Sequence, residues 1–142
     1  MNTAVCNYAL LRFLPYPETG EFVNVGVVVN CLQPCFLHFI SEKRMPDRAK
    51  ALFPKQIERK YEAAQAAMQE ELDRVAAMVA KARDAKGCQI AFNEVVRARE
   101  SVLRFGEPRT ITSTDAQNLS EELFRRYVLM ETAVPQVAGQ AD

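Results

Sequence analysis

The hydrophobic period changes near residue 57, and that change restricts the fold more than any other feature. Before it, Val5 to Leu14, Phe22 to Cys31 and Cys35 to Ser41 are β-branched or apolar runs separated by "PYPETG" and "LQP". Those connectors supply turn chemistry, so the runs read as three strands of an antiparallel meander. After it, Ile57, Tyr61, Ala64, Met68, Leu72, Val75, Val79 and Ala82 recur at spacings of three and four, the pattern of one long amphipathic helix. A sheet with an apolar face needs cover and a helix with an apolar stripe needs a surface, so the two together predict an α+β domain.

The remaining elements follow from local signals. Pro54 after "RAKALF" predicts a short helix over Asp47 to Phe53, and Lys86-Gly87 is expected to end the long one. "AFNEVVRARES" reads as helical, and Val102 to Phe105 and Thr110 to Thr112 have strand character around a Gly-Glu-Pro turn. These two segments can extend the meander by one or two strands. A C-terminal helix is expected through Leu119, Leu123, Tyr127 and Met130, with Ser113, Thr114 or Asp115 as its cap. The expected organisation is one domain over 1–131 and a flexible tail over 132–142.

Lysine and arginine balance aspartate and glutamate at 18 each, so no global field recruits nucleic acid or an anionic membrane. No apolar run has the length of a bilayer span and no secretory signal is legible, which leads to the expectation of a cytoplasmic protein without membrane contact. In such a compartment Cys6, Cys31, Cys35 and Cys88 are expected to be reduced thiols.

The stretch "GEFVNVGVVVN" raises the functional question, because Asn24 and Gly26 interrupt a strand otherwise suited to burial. Opposed residues of an antiparallel pair share a face. An even register, with Phe13 opposite Val23, Leu11 opposite Val25 and Ala9 opposite Val27, collects the apolar residues on one side. The other side then gathers Tyr8, Leu10 and Arg12 with Phe22, Asn24, Gly26, Val28 and Asn30. Placing Cys31 opposite Cys35 sets His38 opposite Val28 and adds Phe36 and Ile40 to this semi-polar face. In a structural reading Gly26 makes room for a ring or a helix, while Arg12 and Asn24 bond loop carbonyls and Glu21. In a functional reading Gly26 lets a ligand or partner approach, and Arg12, Asn24 and His38 supply a cation, an amide and a titratable ring. Tyr8, Arg12, Glu21, Asn24, Gly26 and His38 are the candidate binding residues.

Over "NYALLRFLPYPETGEFVNVGVVV" the chain resembles a bacterial family known as domain of unknown function 3037. The resemblance rests on Tyr8, Arg12 with Phe13, Pro15, and Gly20 through Val27, and is weaker in "LRFGEPRTITSTD" and "LFRRYV". It implies no reaction. Members are often found beside a HipA-type serine/threonine kinase, which implies a protein partner and a role in a regulatory, toxin-antitoxin or defence system.

Other constellations carry less. Cys31 and Cys35 could supply half a zinc site if Cys6 and one more ligand joined them, but their spacing fits poorly and free cysteine is commonly buried, so no metal or cofactor is expected. Arg97, Arg99, Arg104 and Arg109 are candidate anion ligands if they converge; Glu94, Glu100 and Glu107 interleave with them, which favours a solvated face. The alanine-rich helix stripe suits packing on the sheet, with pairing to a second copy as the competing use. No phosphate loop, zinc-protease motif or nucleophile elbow is legible. The reading is therefore a non-catalytic protein-interaction or regulatory module. Its rivals are a nucleic-acid-handling accessory protein and an enzyme of unrecognised type using Arg12, Asn24 and His38.

Overall fold

A computed structural model describes residues 3–54, 57–82, 84–97 and 101–131. The N-terminal runs form the meander as read: β1 (Ala4–Phe13), β2 (Val23–Leu32) and β3 (Cys35–Ser41). Then come α1 (Asp47–Leu52), α2 (Glu58–Ala82), α3 (Ala85–Val96), β4 (Leu103–Phe105), β5 (Arg109–Ser113) and α4 (Leu119–Tyr127). The five strands make one antiparallel sheet in which β1 is central, with β2 and β3 on one side and β4 and β5 on the other. β5 pairs with the first half of β1 and β4 with its end, so the two lie end to end along one edge, separated by Gly106, Glu107 and Pro108.

Cover differs between the faces. Against one, α2 and α3 pack Tyr61, Met68, Leu72, Val79, Phe92 and Val95 onto Ala9, Leu11, Phe13, Val23, Val25, Val28 and Leu37. Phe13 is fully buried and meets Phe53 and Tyr61 edge-on, with ring centroids at 5.6 and 5.0 Å. On the other face α4 places Leu119 and Leu123 over Cys6, Tyr8, Val27, Val29 and Cys31.

The even register holds only at the turn end of the first hairpin, where Phe13 faces Val23 and Arg12 faces Asn24. A β-bulge then sets Leu11 opposite Gly26, and from there Leu10 faces Val27, Ala9 faces Val28 and Tyr8 faces Val29. The connection between β2 and β3 is also one residue shorter than expected. Gln33 and Pro34, joined by a cis peptide bond, make the turn, so Leu32 faces Cys35 and Val29 faces His38.

These shifts move residues between faces. Gly26, Val28 and Asn30 lie on the side covered by α2 and α3, and Val27, Val29 and Cys31 lie under α4. Asn30 is fully buried: its amide nitrogen donates to Cys88 Sγ at 2.9 Å, and its Oδ1 accepts from Asn7 Nδ2 at 2.9 Å. Gly87 is not a C-terminal cap. It sits in the first turn of α3, where its N–H donates to the carboxylate of the N-cap Asp84 at 2.6 Å. Asp115 does not cap α4 directly; its carboxylate accepts from Asn118 in the short 3-10 turn that precedes the helix. Arg99 and the expected tail over 132–142 lie outside the described residues.

Candidate functional site

The edge opposite β3 is one strand broken at Gly106–Glu107–Pro108, and the break creates the site. Two residues of β1, Ala9 and Leu10, lie between the stretches paired with β4 and β5 and face three residues of the interruption. The extra residue works like a bulge: Arg104 opposite Arg12 and Arg109 opposite Tyr8 both end on the α4 side although five positions separate them. The Gly106 N–H donates to the Leu10 carbonyl at 2.8 Å, which pins the turn to β1. Beside it opens a cleft of about 500 Å³ lined by Tyr8, Leu10, Arg12, Gly106, Glu107, Arg109 and Tyr127.

Arg12 is the best-held cation of this cleft. Its guanidinium carbon sits 4.3 Å from the centroid of the Phe22 ring, a cation–π contact. Its other side lies against Gly106, where a Cβ would come within 2.8 Å of Arg12 Cζ. Among the described residues Arg12 has no hydrogen bond or ion pair, and its Nε is buried without a partner. Directly across from it, Asn24 Oδ1 is buried and unpartnered too. Arg48 donates to the Asn24 backbone carbonyl at 2.7 Å, so it fixes the strand and leaves the side-chain amide alone.

The other arginines do not gather around Arg12. Arg104 turns back, donating from Nε to the Ser101 carbonyl at 2.8 Å, and is not part of the cleft wall. Arg97 is paired with Glu94 at 3.4 Å at the end of α3 and lines a separate groove between α2 and α3. Among the described members of the expected anion set, Arg109 alone shares the cleft with Arg12. Arg126 is held by Glu122 at 2.8 Å beside Tyr127.

Of the remaining candidates, Tyr8 is in the cleft, with its ring 6.4 Å from that of Tyr127 and nearly parallel to it. Burial pushes the Tyr8 phenol above its ordinary pKa, Tyr127 adds to the rise, and Arg109 and Arg126 oppose it. Glu21 is exposed and makes no ion pair with Arg12. Gly26 is remote from any ligand path, because a Cβ there would meet the Ile40 carbonyl oxygen and Ser41 Cβ at 2.7 Å. The gap is filled by β3.

His38 shares a face with Arg12 and Asn24, since the bulge and the shorter turn each reverse the parity and together cancel. It does not share their site. His38 faces Val29, which faces Tyr8, four residues along β1 from Arg12, or roughly 13 Å along the strand. Its ring stacks on Phe36 at 4.3 Å, and burial lowers its pKa.

The cysteines pair differently from the expected grouping. Cys6 and Cys31 face one another under α4, while Cys35 and Cys88 lie on the α2/α3 side. All four are free, and burial pushes Cys6 and Cys88 up to about 12. Both are therefore neutral thiols at physiological pH, with little thiolate to act as nucleophile or metal ligand. No cluster of three or more His, Cys, Asp or Glu side chains is placed to hold a metal ion among the described residues. None of the described helices is long and apolar enough to cross a membrane.

Gly106, Glu107 and Tyr127 were not legible as site residues. "RFGEPR" reads as a turn between two strands, and only the shared partner strand reveals it as a break within one edge.

No curated protein and no solved structure matches the chain. The sequence pattern of a family described as protein of unknown function, DUF3037, matches residues 8–128, which takes in both the Arg12 strand and Tyr127. The chain belongs to the DUF3037 family.

Proposed function

We propose that the chain is a non-catalytic interaction module that recognises a protein partner through the Arg12 end of the semi-polar face. The observation that carries this reading is the state of Arg12: a guanidinium set between Phe22 and Gly106, at the wall of a cleft, with no internal hydrogen bond or ion pair among the described residues. An arginine already fixed in place loses little conformational freedom when it binds, and arginine and tyrosine are the residue types that most often anchor protein interfaces. Tyr8 and Tyr127 line the same cleft. The family resemblance supports a regulatory role beside a HipA-type kinase, and four free cysteines suit a cytoplasmic setting.

The test is co-purification of the tagged chain from its native host, with Arg12→Ala alongside. The reading expects one protein to be recovered with the wild type and lost with Arg12→Ala while the melting temperature holds. Equal recovery by both would overturn it.

A further inference from the structure

We propose that the cleft beside the Gly106–Pro108 break is a carboxylate site, taking an acidic side chain that the partner presents on an apolar or aromatic segment. The proposal deepens the protein-binding reading and depends on it for its biological occupant. Charge selects the class of ligand. Two guanidinium groups, Arg12 and Arg109, and one carboxylate, Glu107, line the cleft, leaving one net positive charge. A carboxylate matches that balance. A dianionic phosphate monoester would bring a second negative charge against Glu107, and Arg104, whose Nε is bonded to the Ser101 carbonyl, does not reach in to offset it.

Hydrogen-bond chemistry points the same way. The two terminal nitrogens of Arg12 have no internal partner among the described residues and, unlike the buried Nε, are open, and such a pair meets a carboxylate with two parallel bonds. Tyr8 and Tyr127, side chains able to donate a hydrogen bond, line the same wall. At about 500 Å³ the cleft is far larger than a carboxylate and falls in the range of sites that enclose a small ligand's body. Leu10 and the two tyrosine rings supply the apolar surface for that body. A nucleic-acid strand fits less well, because it offers phosphates at regular intervals. Arg97 and Arg126, which would have to extend the track, are each paired with a glutamate.

The test is an NMR titration of the whole chain, following the Arg12 Nε–H and Gly106 amide signals, with phenylacetate, neutral phenylacetamide and phenyl phosphate as probes. Phenylacetate should give saturable shifts at both signals and bind at least tenfold more tightly than phenylacetamide. Arg12→Gln and Arg109→Gln, followed at Gly106, should each weaken it about tenfold or more. Arg109 is exposed, so its variant carries the test if Arg12→Gln does not fold. Absence of saturable shifts, equal binding of the amide, or phenyl phosphate binding tenfold more tightly than phenylacetate would overturn the assignment. Loss of partner capture on Arg12→Ala without phenylacetate binding would remove the carboxylate proposal alone. Phenylacetate binding without any Arg12-dependent partner would remove the protein-binding reading alone.

Discussion

Gly26 and Gly106 lie in two regions of the sheet that are finished differently, and each sits where a Cβ would collide. At Gly26 the obstacle is the neighbouring strand, with the Ile40 carbonyl oxygen and Ser41 Cβ both at 2.7 Å. The helices α2 and α3 seal that side, so nothing there can give way. At Gly106 the obstacle is the tip of a flexible side chain, Arg12 Cζ at 2.8 Å, on the side that α4 covers only in part. The first glycine keeps strands together, and the second keeps an arginine in place. A sealed face uses close approach for stability; a partly open one can use it to hold a recognition group.

Substitutions can break that contrast. The largest effect is expected at Phe13→Ala on the sealed face, about 3–5 kcal/mol of stability by urea unfolding, because it empties the junction with Phe53 and Tyr61. A loss near 1 kcal/mol would mean that this face is less tightly packed than described. Gly26→Ala should cost about 1–3 kcal/mol, since β2 and β3 must separate to admit a methyl group. Gly106→Ala should cost less than about 1 kcal/mol, because Arg12 can swing aside. It should nevertheless abolish partner capture, which Gly26→Ala at a temperature where it stays folded should not.

The smallest effect concerns pH. Burial lowers the His38 pKa below its unfolded value, so the unfolded chain takes up the proton first. His38 therefore contributes stability that is present above the unfolded pKa and is lost as pH falls through the folded one. The urea midpoint of the wild type should drop between pH 7.5 and 5 by more than that of His38→Gln; equal drops would show that the imidazole is not titrating against the fold.

The meander, α1, α2 and the C-terminal helix were legible because their apolar spacing and proline boundaries report directly on packing. Register was not. β2 is buried on both sides, so "VNVGVVVN" offers valines to each face and its alternation cannot reveal a bulge. Asn30 read as semi-polar for the same reason, yet it is buried beside Asn7 and Cys88. Arg12 and Asn24 were placed together correctly because they lie next to the turn, before the bulge acts. His38 reached the right face through two compensating shifts, and it lies off the cleft because it sits on β3, two strands from β1 and level with Tyr8 rather than with Arg12. Arg109 could be joined to Arg12 only through long-range pairing of β1 with both β4 and β5, information that local spacing does not hold.

Arg12 and Arg104 offer the most direct test of the central claim, because they face one another across β1 and β4 and differ in what holds them. Partner capture should be measured for Arg12→Gln and Arg104→Gln at matched folded fractions. The account predicts loss with the first and retention with the second. Equal retention, or equal loss, would contradict it.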